Sequence, residues 1–244
     1  MAMRMRAIGV AMMMLAVLGI NAAHGDNLAA FNAAMEDVAA HNRAALAHLR
    51  DHDPDLAKAA LAKMQAAWGT FAEHFSRDRP DAFRDSKLYV TMLVDVPTRI
   101  VTALIMINFG RPDVATGSLQ AIRQEMSAVR RDAGVEVLAD GVLDANGKMA
   151  ALLAYLDKPP ASDDIAAVRE LAAKAEAYST AVRHCQALAP DQVRSSPEFR
   201  RALDGVTAAL DALAQAIAAR DGAALRRVID ELHSLDTMLA SQYG

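Results

Sequence analysis

Three histidines, His41, His48 and His52, fall close together early in the chain. If this stretch is helical, their spacing sets them on roughly one face, because residues three, four and seven apart lie above one another. Imidazoles in that arrangement hold copper or zinc, with Asp51 or His74 as an added ligand. The plainer reading is the solvated end of an amphipathic helix. Met35, Met64, Met92 and Met126 likewise suit either copper(I) thioether ligation or flexible filling of a core. His184 and Cys185 make a soft-metal pair in composition, but adjacent residues on a helix point in different directions. A buried, inert thiol is the simpler reading of Cys185. His233 stands beside Glu231 and Asp236, and a lone His on a helix face is usually a surface or satisfied core residue.

The sequence offers no catalytic constellation. It has no Gly-rich phosphate loop, no His-Glu-x-x-His and no nucleophile elbow. The facing Glu-x-x-His pairs of a di-iron bundle are missing too, since Glu73-His74 and Glu231-x-His233 have the wrong spacing. Asp95 and Arg99 stand four apart in an apolar stretch and predict a buried ion pair that sets register. The expectation is a protein that is not an enzyme.

The elements that position these residues are helices. Hydrophobic residues make up 53% and aromatics only 5%, a composition of Ala/Leu helix rather than sheet. Apolar residues recur every three to four positions in eight stretches. The predicted helices are 28–50, 55–75, 86–109, 113–131, 142–156, 163–188, 197–219 and 223–242. Asp53 before Pro54, the run Ser162-Asp163-Asp164, and Ser196 before Pro197 are helix-start signals. Helix 86–109 is apolar on all sides, which predicts burial on several of them, and Pro97 removes one of its backbone donors.

Four joints divide the pattern: Asp53-Pro54-Asp55, Arg111-Pro112-Asp113, Lys158 to Asp163, and Arg220-Asp221-Gly222. The first and third lie about 108 residues apart, as do the second and fourth. One helical unit is therefore written twice. The segment Gly134 to Gly141 is the boundary between copies. The expected domains are a leader over 1–25, one bundle over 26–134 and a second over 135–244.

The leader reading rests on Arg4 and Arg6, the apolar run Ala7 to Ile20, and the small residues of Ala23-His24-Gly25. The run is shorter than the roughly 20 residues of a membrane span, so cleavage is expected and no transmembrane anchor remains. Mature protein would begin at Asp26 in the periplasm. Loss of Arg4 and Arg6 takes the net charge from −4 to −6, which excludes a nucleic-acid binder built on a basic stripe. A single Cys excludes an internal disulfide, so stability must come from buried apolar surface.

The segment Asp55-Leu56-Ala57-Lys58-Ala59-Ala60-Leu61-Ala62-Lys63-Met64-Gln65-Ala66-Ala67 resembles the second helix of cytochrome b562. Ser196-Pro197-Glu198-Phe199, a long helix, a short Asp-Gly joint and a last helix ending Ser241-Gln242-Tyr243 resemble that family's third and fourth helices. Cytochrome c′ shares the bundle. The resemblance implies two tandem antiparallel four-helix bundles, all-α, and it raises the question of haem. The c′ type attaches haem through Cys-x-x-Cys-His near the chain end. Counted back from Tyr243, those positions hold Asp236, Leu239 and Ala240. The b type holds haem between an early Met and a late His. The His position falls on Ala240, while Met35 and Met149 lie near the Met region, with Val38 the first-unit equivalent when counted from the hairpin.

The leading expectation is therefore a periplasmic, non-enzymatic binding or accessory protein of cytochrome b562/c′-like bundles, with no cofactor. Its partner would be a periplasmic protein or a small ligand, and helix 86–109 is a candidate homodimer seam. One alternative is a haem b electron carrier using Met149 and His233. The other is a copper or zinc binder using His41, His48 and His52.

Overall fold

The computed structural model describes residues 5–161 and 164–244, with side chains from Asn27 onward. Met1 to Arg4 of the expected leader, and Ser162 and Asp163 of an expected cap, lie outside the described residues. Every regular element among the described residues is helical: α1 (Met5–Arg50), α2 (Pro54–Phe75), α3 (Lys87–Asn108), α4 (Pro112–Asp132), α5 (Leu138–Asp157), α6 (Ile165–Leu188), α7 (Asp191–Ser195), α8 (Pro197–Ala219) and α9 (Gly222–Tyr243). A 3-10 turn, Asp81–Phe83, precedes α3.

The starts follow the side-chain chemistry. The Asp53 carboxylate accepts the Leu56 N–H at 3.0 Å, ahead of Pro54 in the first turn. Ser86 and Ser196 accept from Tyr89 and Phe199, and Asp164 accepts from Ala167. Asp221 accepts from both Ala223 and Ala224, and these two N–H groups hold its carboxyl below the usual range. Four helix ends, those of α1, α3, α4 and α8, share one device. A left-handed residue follows the helix, and the next N–H reaches back to a carbonyl five residues earlier: Asp53 to His48, Arg111 to Met106, Val135 to Arg130 and Asp221 to Ala216. Gly110 and Gly134 supply the left-handed residue in two of these turns; His52 (φ 60°) and Arg220 (φ 55°) supply it in the others.

The chain divides into two compact units, Met1–Val135 and Glu136–Gly244. In the first, α1 packs on α2 and α4, and α3 packs on the same two helices. The four surround a core in which Phe31 meets Phe71, Phe75, Phe83 and Tyr89, with ring centroids 4.5 to 5.9 Å apart. The Tyr89 hydroxyl donates to the Phe75 carbonyl at 2.7 Å, and burial pushes the phenol up to about 12. In the second unit, α5 packs on α6 and α9, α8 packs on the same two, and α7 lies against α8. Its core is aliphatic around Tyr178 and Phe199.

The buried positions of the two units run in parallel. Phe31, Met35, Val38 and Ala45 correspond to Leu138, Val142, Ala145 and Leu152, a constant 107 residues on (138 − 31). From the second helix the offset is 110 (171 − 61), linking Leu61 to Leu171, Tyr89 to Phe199, Val96 to Val206 and Leu119 to Ile229. The difference of three falls in the joint between α5 and α6.

Three expectations need correction. α5 starts at Leu138 rather than Val142, because Gly141 is a buried helix residue where α5 approaches α6: a Cβ there would sit 3.1 Å from Leu188 Cδ1. Arg99 is paired with Glu125 of α4 at 2.5 Å rather than forming the predicted buried pair with Asp95. And α3 buries only one face; Val90, Val94, Val101, Ile105 and Phe109 are exposed.

Candidate functional site

The histidines of the first unit are not gathered into one site. His41 lies on α1, 3.8 Å from Asp37 on its own helix. His48 is half-buried in the last turn of α1. His52 has left the helix and occupies the left-handed position of the closing turn. His74 is exposed on α2, 4.0 Å from Asp78. Among the described residues, no group of three or more His, Cys, Asp or Glu side chains is arranged to hold a metal. Met35, Met64, Met92 and Met126 are all buried in the first core.

His184 and Cys185 diverge as adjacent helix residues do. The imidazole points outward to Glu136 at 3.3 Å, while the thiol is fully buried. Burial, helped by the charge of Asp236, pushes the Cys185 thiol up to about 12, which makes it a poor nucleophile and a poor metal ligand.

The interior of the second unit contains one polar group of note. Asp236 of α9 is buried, and its carboxyl accepts from Asn146 Nδ2 of α5 at 2.8 Å and from the Tyr178 hydroxyl of α6 at 3.4 Å. Burial and the neighbouring carboxyl both raise the Tyr178 phenol strongly. In the first unit the corresponding positions are Ala39, Trp68 and Met126. An apolar trio there stands where a hydrogen-bonded trio stands here. Sequence spacing gave no sign of this, because the three residues come from three helices.

Haem does not fit the family positions. Asp236 has both oxygens engaged by Asn146 and Tyr178. Leu239 is fully packed in the core, and Ala240 has no donor atom. Met149 is buried among aliphatic residues of the same core. His233 is half-buried, and its Nδ1 is enclosed with no hydrogen-bond partner.

One concavity in this unit is a groove between α6 and α8, about 560 Å³ in volume. It is lined by neither Met149 nor His233. Ala172, Ala175 and Val182 of α6, with Leu203, Val206, Leu210, Ala214 and Ile217 of α8, make its apolar lining. Glu176, Ser179, Arg183, Gln186, Thr207 and Asp211 add polar atoms. Small residues open the space: Ala214 stands where α3 of the first unit carries Leu104. Arg183 is held on its own helix, donating to Glu176 at 2.9 Å and to Ser179 at 2.7 Å. Sequence reading missed this groove, since it arises from the shortness of alanines rather than from any reactive group.

No protein-family model, curated protein or solved structure matches the chain.

Proposed function

We propose that the chain is a periplasmic, non-enzymatic accessory protein, exported by a cleaved leader and built as two tandem antiparallel four-helix bundles of the cytochrome b562/c′ kind. On this reading the haem-binding role has been replaced by capture of a small, largely apolar ligand. One observation carries it: the groove between α6 and α8. Its volume of about 560 Å³ lies within the range of small-molecule sites, and apolar residues of both helices share its walls almost evenly with polar groups that would orient a ligand. Glu176 and Arg183 neutralise each other at close range, which leaves Asp211 as the charge at the groove. A ligand with an extended apolar body and one donor or cationic group suits that distribution.

The test is fluorescence titration of the purified protein with N-phenyl-1-naphthylamine, an apolar probe. Binding is expected, and Ala175→Trp, which fills the groove, should abolish it while helical circular dichroism is unchanged. A protein that ignores the probe, or one whose binding survives the filled groove, refutes the reading. An absorption spectrum of the same sample decides the haem alternative. A Soret band lost in Met149→Ala or His233→Ala would replace the accessory role with electron transfer. Stoichiometric copper or zinc, lost in a His41→Ala/His48→Ala variant, would replace it with metal binding.

A further inference from the structure

We propose that α3 is the seam of an antiparallel homodimer. The outer face of this helix has the pattern of a coiled-coil strip. Thr91, Val94, Thr98, Val101, Ile105 and Asn108 follow alternating steps of three and four, all on the side turned away from the core of the first unit. Leu88, Val90 and Phe109 flank the strip and are exposed. Between Lys87 and Arg111 the only charged residues are Asp95 and Arg99. Both are half-buried, and Arg99 is taken up by Glu125. A helix face of this length without one fully exposed charge matches the charge-depleted centre of a protein interface rather than a solvated surface.

The threonines reinforce this. The hydroxyls of Thr91, Thr98 and Thr102 donate to the carbonyls of Lys87, Val94 and Thr98, each one turn back on the same helix. Their donors are satisfied without water, so each can present its methyl group to a partner at little polar cost.

A second copy fits the strip best. Laid antiparallel about a two-fold axis between Thr98 and Val101, Val94 of one copy meets Ile105 of the other. Thr98 then meets Val101, Thr91 meets Asn108, and the flanking Val90 meets Phe109. Lys87 comes to the C-terminal end of the opposite helix, beside the ion pair of Arg111 with Asp113. In a parallel pairing Lys87 would face its own copy, a like-charge contact. A 22-residue helix is about 33 Å long. With its flanks, such a strip buries on the order of 600 Å² per copy, near the lower edge of what specific, stable interfaces use. A lipid surface is the lesser fit. An interfacial helix carries Lys or Arg along its polar border, whereas this strip has none and the chain is net negative, at −4.

The test is sedimentation velocity of the purified protein across a concentration series, with V94E and V101E beside it. The native chain should shift from monomer to dimer. Each variant should raise the dissociation constant by about a hundredfold or more, because the new carboxylate is buried against apolar side chains without a partner, with circular dichroism unchanged. Mixing V94C with I105C under mild oxidation should link one chain to the other, while V94C alone should not link. Three results would overturn the proposal: a monomer at every concentration, a dimer that tolerates both glutamates, or V94C linking to itself. A monomeric chain that co-sediments with phosphatidylethanolamine/phosphatidylglycerol vesicles would assign the face to a membrane instead. The inference is independent of the α6–α8 groove, and probe binding there can succeed or fail without affecting it.

Discussion

The Asn146 amide of α5 donates to the buried carboxyl of Asp236 on α9 at 2.8 Å, joining two helices 90 residues apart in sequence. A buried acceptor deprived of a partner costs about 1–3 kcal/mol. Asn146→Ala is therefore expected to destabilise the protein by that amount in urea unfolding. Asp236→Met, the residue at the matching place in the first unit, removes the acceptor itself. It leaves the Asn146 amide and the Tyr178 hydroxyl each short of one acceptor. A double variant, Asn146→Ala with Asp236→Met, should recover part of the loss. Strict additivity of the two single effects would show that the two side chains are not coupled.

The Cys185 thiol makes alkaline stability a readout of the second core. Its value is raised from 9.0 to about 12 by burial and by Asp236. In that window the folded chain keeps a proton that the unfolded chain releases, so stability falls as pH rises. The contribution is complete below about pH 9 and is lost towards about pH 12. Tyr89, raised from 10.0 to about 12, acts in the same direction. Cys185→Ala should flatten the decline of the melting temperature above pH 9. The native thiol should also resist iodoacetamide at neutral pH and react once urea is added. Rapid labelling of the folded protein would contradict the buried position.

His52 closes α1 in the left-handed region at φ 60°. A side chain there is strained by contact with its own backbone, and glycine removes the contact. We expect His52→Gly to stabilise the first unit by about 1 kcal/mol. A loss of stability would mean that the imidazole makes a contribution larger than the strain it causes.

Two glycines should respond oppositely to alanine. Gly69 is exposed on α2 with open space around the missing Cβ, so Gly69→Ala should gain about 0.5–1 kcal/mol from helix propensity. At Gly141 the new methyl would lie 3.1 Å from Leu188 Cδ1, 3.3 Å from the Cys185 sulfur and 3.4 Å from the Cys185 Cα. The Leu188 and Cys185 side chains would have to give way where α5 meets α6, so Gly141→Ala should lower the melting temperature. Equal effects at the two sites would refute the close approach of α5 to α6.

Helices were legible in the sequence because their caps and apolar periods are local. Pro197–Ala219 is where the spacing and Ser196 place it, and the other starts and ends differ by a residue or two, except that α1 begins at Met5 rather than at 28 and α5 at Leu138 rather than Val142. What crosses between helices was not legible. Arg99 chose Glu125 over the residue one turn away, since only the packing of α3 on α4 brings Glu125 near. The exposed face of α3 was hidden for a related reason: apolarity on every side says nothing about which side the core takes. The small α7 and the turn that buries Phe83 lie in stretches whose charged residues read as plain connection. At the candidate site, the histidine spacing was visible, but the departure of His52 from α1 depends on the hairpin turn that follows.

The unlike interiors of the two units have a consequence for how the chain sorts itself while folding. A protein with two look-alike halves risks docking a helix of one half into the other. If α9 joined α1, α2 and α3, Asp236 would enter a setting built from Ala39 and Trp68, without the amide and hydroxyl it now has. If α4 joined α5, α6 and α8, Met126 would leave Asn146 and Tyr178 facing a thioether. Either exchange strands a buried polar group at a cost of about 1–3 kcal/mol, and each correct assembly avoids it. The single hydrogen-bonded trio thus acts as an address, by which each last helix is directed to its own half of the molecule.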